Sequence, residues 1–222
     1  MYKGLGKLDP ANKYKLVITN NESGKIVQAE TSLCNDFEVT QPNFYTKNLG
    51  FKRNNLNTQS FAWRSGVNGK RYKLVLHFYF KEKSADTDTI TRIIDWVFPE
   101  QISNSLRGNE AMSVSYKNES FYALCNNLIP YTDAAKEEKV HGRVAEQVVM
   151  EFIVTGTEFS TYVDVNGETS GLLTEKPVYT NIQNGLGVFS SAFKKFISLK
   201  IDDNTKIDLF NTTEIKFAEP YH

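Results

Sequence analysis

Apolar and polar residues alternate with a period of two over most of this chain, and that pattern predicts strands. Lys13 to Asn20 alternates, Glu22 to Lys25 reads as a turn, and Ile26 to Thr31 alternates again, so the N-terminal region predicts a hairpin. Phe37 to Thr40 predicts a third short strand. This is immunoglobulin-like hairpin grammar, too short for a complete sandwich. From Gln41-Pro42-Asn43 the pattern breaks, and the Asn-, Lys- and Thr-rich run to Gln59 reads as a loop. The clearest strand follows at Tyr72 to Lys81, where Tyr72, Leu74, Leu76, Phe78 and Phe80 share one face. Lys73, Val75, His77 and Tyr79 make the opposite face half polar, as in an antiparallel sheet with one wet side.

Ser60 to Arg64, Thr89 to Phe98, Ala111 to Tyr116, Val148 to Thr155, Phe196 to Ile201 and Thr213 to Phe217 predict further strands. Val148 to Thr155 carries apolar residues on both faces and reads as fully buried. Two helices interrupt them. The first has Asn118 as its expected N-cap and an apolar stripe of Phe121, Leu124, Cys125, Leu128 and Ile129. The second is capped by Thr157, with Phe159, Tyr162 and Val163 turned inward. The resulting expectation is a mainly β fold, an antiparallel sandwich or barrel-like domain with two short helices, preceded by a partial immunoglobulin-like β unit. In residues, 1–41 form that unit, 42–59 a linker or loop, and 60–222 the main domain.

Composition narrows the class. Among the 222 residues, 26 Lys and Arg balance 26 Asp and Glu, so no basic face is indicated for nucleic acid or an anionic membrane. The apolar runs are of strand length, far below the roughly 20 residues of a membrane-crossing helix. The two cysteines, Cys34 and Cys125, allow one disulfide in an oxidising compartment; the favoured reading is two unpaired, buried or half-buried thiols.

Candidate chemistry is thin. His77 on the half-polar strand face is a candidate ligand or base, although a lone surface histidine reads the same way. His141-Gly-Arg143 has no second ligand at metal spacing, and Asp164-Val-Asn166-Gly-Glu168 lacks the glycine and glutamate of a calcium loop, so no metal or cofactor is expected. Glu151, inside an apolar strand, needs a partner or an open face. Trp63 and Trp96, with His77 and Tyr79, would form a ligand-binding platform if exposed; a tryptophan in an alternating strand is otherwise core. A hydrolase would require Glu151 to converge with His77 or His141.

The stretch Pro177-Val-Tyr179-Thr-Asn181-Ile-Gln-Asn184-Gly185-Leu-Gly187-Val-Phe189-Ser-Ser-Ala-Phe193 carries the one distinctive motif. Asn184-Gly185 is a strong turn pair, and Val188-Phe189 after Gly187 reads as the start of a strand. A phosphate loop is not supported, since neither a third glycine nor Lys-Ser/Thr follows. This stretch resembles a segment of a large family of uncharacterised cell-envelope lipoproteins of Bacteroidetes-type bacteria. Three other segments share the resemblance: Leu8-Asp-Pro-Ala-Asn-Lys-Tyr-Lys-Leu16, Phe61-Ala-Trp63 with Tyr72 to Phe80, and Glu158-Phe-Ser-Thr-Tyr-Val-Asp-Val-Asn166. Together these cover most of the chain, and none is catalytic. The resemblance implies an outer-membrane lipoprotein, anchored through a lipid-bearing cysteine not in this chain, and a mature or trimmed piece of a longer precursor. It also implies a non-enzymatic accessory or binding role beside a TonB-dependent outer-membrane receptor. A free-standing oligosaccharide- or peptide-binding module is the alternative.

Overall fold

The computed structural model describes residues 6–84, 89–129, 140–167 and 178–211, together with 215, 217 and 218. Among these it forms a mainly β, antiparallel, sandwich-like fold with short helices. The strands are β1 (Lys13–Thr19), β2 (Ile26–Ser32), β3 (Val39–Gln41), β4 (Asn48–Leu49), β5 (Gln59–Arg64), β6 (Arg71–Ser84), β7 (Ile90–Val97), β8 (Gln101–Ile102), β9 (Ala111–Tyr116), β10 (Val140–Thr155) and β11 (Ala192–Ile201). The helices are α1 (Asn118–Leu128), α2 (Thr157–Asn166) and α3 (Asp203–Phe210).

One sheet runs β4-β11-β10-β6-β7, with β8 also on β6; a second runs β3-β5-β9; β1 and β2 form a two-stranded hairpin. The alternation of β6 decides which face of the large sheet is wet. Tyr72, Leu74, Leu76, Phe78 and Phe80 are all buried, and Val148, Met150, Phe152 and Val154 of β10 lie beside them. The small sheet covers this face with Phe61, Trp63, Met112 and Val114. Trp63 meets the ring of Phe152 edge-on at 5.3 Å. Helix α1 extends the cover: Phe121 stacks on Phe51 at 4.2 Å and meets Phe78 edge-on at 5.2 Å.

Several expectations are corrected here. The run 42–59 is not a bare linker, because Leu49 and Phe51 belong to the shared core and β4 pairs in parallel with the end of β11. The third N-terminal strand does not join the hairpin; β3 pairs with β5, and the neighbouring Phe37 packs edge-on against Tyr72 at 5.6 Å. Asn118 is not the N-cap of α1. Lys117 holds that position without a side-chain cap, and the Asn118 amide instead donates to the Lys52 carbonyl at 2.9 Å. As the helix sits, Tyr122 is buried and Leu128 lies in solvent. In α2 the cap position belongs to Gly156, and Phe159 and Tyr162 face outward. Strand β10 fully buries only one face, since Val149, Glu151 and Ile153 are half-buried.

A third helix, α3, was not expected; its cap is Asp202, whose carboxylate accepts from the Thr205 N–H at 2.8 Å. Residues 178–191 hold no extended strand, so Val188-Phe189 is irregular and β11 begins at Ala192. The expected strand from Thr213 to Phe217 lies largely outside the described residues, which show Phe217 bridged to Arg143.

Candidate functional site

The wet face of the large sheet carries a row of charge that crosses four strands. Asp95 on β7 lies opposite His77 on β6, its Oδ1 2.7 Å from Nδ1. Nε2 of the same ring is 3.1 Å from Oε2 of Glu151 on β10. Glu151 then accepts from Lys194 on β11 at 2.7 Å. Period-two alternation sets all four on this face, and the register of the antiparallel ladders brings them side by side. The Lys194 bond, and then the His77 contact, hold the Glu151 carboxyl below its ordinary range against the opposing effect of burial.

The convergence of His77 and Glu151 is the geometry a hydrolase reading required. Both ring nitrogens are engaged by carboxylate oxygens, one from each neighbouring strand, so the ring links β7, β6 and β10 across the wet face. Tyr79 lies half-buried on the same face, one β6 alternation from His77. The His141 side chain, Glu168, Asp86 and Asp88 lie outside the described residues. Asp164 in α2 pairs with Arg71, which also holds Glu100 at 2.6 Å. Among the described residues no cluster of three metal-ligating side chains occurs.

The two tryptophans do not make a platform. Trp63 is 1% exposed and packed between Tyr72 and Phe152. Trp96 is half-buried against Phe98, at 4.7 Å, and Tyr116. Both cysteines are free and buried. Burial pushes Cys125 up to about 12 and also raises Cys34, which suppresses thiolate chemistry at both.

The motif stretch proves to be a tether. Pro177 lies outside the described residues, and Tyr179 is half-buried. The Asn181 amide spans the chain in both directions, donating to the Phe189 carbonyl at 2.8 Å and accepting from its N–H at 2.9 Å. Thr180 Oγ1 accepts from the N–H groups of Ile182 and Gly187 and donates to the Gly187 carbonyl. Asn184 (φ 59°) and Gly187 (φ 135°) take the left-handed turn positions. Asn184 also donates to the Ile26 carbonyl at 3.2 Å, and Gln183 pairs with Gln28 through both backbones. At Gly185 a Cβ would lie 3.0 Å from Ile182 and 3.2 Å from Val27, so the missing side chain lets this loop sit against the hairpin. Sequence spacing placed the turn; it held no signal that the turn docks β2.

A site that sequence reasoning missed lies at the other edge of the sheet. Between β11 and residues 38–47 a groove of about 800 Å³ opens, floored by Ile197 and Leu199 and flanked by Val39 and Pro42. Phe44 and Tyr45 stand at its rim, 84% and 83% exposed, and Phe196 stands beside it at 59%. The Asn43 carboxamide fixes that rim, accepting from the N–H groups of Tyr45 at 3.0 Å and Thr46 at 3.1 Å. The only sequence signal was Phe44-Tyr45 inside a polar loop.

No protein-family model matches this chain, and no curated protein matches it.

Proposed function

We propose that this is a non-enzymatic binding protein of the cell envelope, an accessory subunit held at the outer membrane and working with a TonB-dependent receptor. The observation that carries the binding role is the open apolar groove beside β11 with its exposed aromatic rim. Exposed aromatic side chains over an apolar floor are what a partner-binding hot spot uses. The envelope address and the receptor rest on the resemblance of four segments of the chain. A peptide is favoured over an oligosaccharide as ligand, because Trp63 is buried and Trp96 is partly buried against the core.

The test is co-purification. The precursor would be tagged at its C-terminus, envelopes gently solubilised, and the proteins that accompany it identified. A large outer-membrane barrel in stoichiometric amount is the expected result. A lone lipoprotein would overturn the subunit reading and leave the free-standing peptide binder.

A further inference from the structure

The groove beside β11 has a property that most apolar clefts lack: one wall is an unpaired strand edge. The Lys200 N–H donates to the Lys47 carbonyl of the segment leading into β4, so it points away from β10. Backbone groups alternate along an antiparallel strand, and the β10–β11 register is unbroken from Ala192 to Lys200. The N–H and C=O groups of Lys194, Phe196 and Ser198 therefore also point outward. Among the described residues they have no partner.

Neighbouring chain closes this gap at both ends. At one end the Cys34 N–H donates to Ser191 Oγ at 2.8 Å, and Lys195 binds the Phe37 carbonyl and the Asp36 carboxylate. At the other, β4 takes the place of the next strand. Between them β3 pairs with β5 rather than with β11 and forms the terminal edge of its own sheet, and the chain returns to β11 at Lys47. The unpaired edge is about five residues long, at roughly 3.3 Å per residue, and it opens on the groove of about 800 Å³.

We infer that this place is a strand-addition site, filled by an extended segment of a partner protein whose side chains alternate apolar and acidic. The inference rests on the reading above that the protein binds a partner, and it specifies how. An added strand shares the alternation of β11. Its inward side chains meet Ile197, Leu199, Val39 and Pro42, which require apolar groups. Its outward side chains lie beside Lys194, Phe196, Ser198 and Lys200. Lys200 has no ion-pair partner among the described residues, and neither does Lys47 at the rim. Lys47 and Lys195 line the groove against one carboxylate, Glu38, and Lys200 lies at its end, so the charge complement is acidic.

The test uses the full chain and a fluorescein-labelled, end-blocked peptide of alternating valine and glutamate, read by fluorescence anisotropy. Saturable binding is expected, with none for a peptide of the same composition in blocks. Ser198→Pro removes one outward N–H and no bond to β10, so it leaves the fold intact and weakens binding about tenfold. Lys47→Glu with Lys200→Glu weakens it further and shifts preference to a valine–lysine peptide. In amide exchange of the unaltered protein, the peptide protects Phe196 and Ser198.

Absence of binding, or binding unchanged in Ser198→Pro, overturns the inference and marks the lysines as a guard against pairing. A dimer of the unaltered protein that Ser198→Pro dissociates also overturns it, since the occupant is then a second copy. These outcomes separate from failure of the wider reading. A receptor that co-purifies equally with Ser198→Pro keeps the function and removes the strand addition. Peptide binding with no co-purifying receptor does the reverse.

Discussion

Strands β6 and β10 carry two charge pairings built from the same chemistry in different surroundings. At one end Arg143 lies directly opposite Glu82, 2.9 Å away, with its guanidinium also donating to the Ile215 carbonyl at 2.6 Å. Arg143 is 1% exposed, and its backbone carbonyl accepts from Ala218. Further along, His77 and Glu151 share the open face with Asp95 and Lys194, both more than half exposed. Water reaches Asp95 and Lys194 and is excluded from Arg143. The buried pair is therefore a fastening for the C-terminal segment, and the open row is a polar surface that keeps the sheet face wet.

The largest effect is expected from breaking the buried pair. Arg143→Met leaves Glu82 and the Ile215 carbonyl without their buried donor and costs about 3 kcal/mol, measured by urea denaturation. Glu82 retains Arg92 at 3.2 Å, which places the loss at the lower end for a buried pair. The double variant Arg143→Met with Glu82→Leu should recover part of that loss. A single-variant cost below about 1 kcal/mol would erase the contrast between the two sites.

An intermediate effect is expected at Glu151, whose side chain is 13% exposed. Glu151→Gln removes one charge from a half-screened network and costs about 1 kcal/mol. Acid sharpens this. The folded-state value of Glu151 is depressed, so its stabilisation is full above the ordinary carboxyl value and is lost as pH falls through the lower, folded one. Glu110 adds in the same direction, its carboxylate held down chiefly by the Ser103 hydroxyl and then by Asn104. Melting temperature should therefore fall below about pH 4.5, and less steeply in Glu151→Gln. Equal slopes would remove Glu151 from the account.

The smallest effect belongs to the exposed end. Asp95→Asn should change stability by no more than about 0.5 kcal/mol, and the change should vanish in high salt. A larger, salt-independent loss would make the open row as structural as the buried pair.

Much of the sandwich was legible before any coordinates. The alternation over Tyr72 to Phe80 placed five core residues and a wet face holding His77, and all of them lie as expected. Helix α3 was not legible, because a polar run beginning Asp203-Asn204-Thr205 carries little periodicity; burial of Leu209 and Thr205 holds it in place. Leu49 and Phe51 were hidden for a related reason. Two apolar residues in an Asn-rich run give no period, although they fill the core. The groove was the least legible feature, since a strand edge left unpaired depends on where two distant segments run.

By itself the sequence determined which residues alternate and where turns fall. Those are local properties, set by side-chain polarity and backbone preference over a few positions. The tertiary structure alone decided that Asp95, His77, Glu151 and Lys194 meet, because their meeting depends on the pairing register of four strands. It alone decided that Arg143 is dry and Lys200 wet, since burial depends on what packs above a residue. The open edge of β11 belongs to the same class: β3 pairs with β5 instead of with β11, and no local pattern in β11 records that choice.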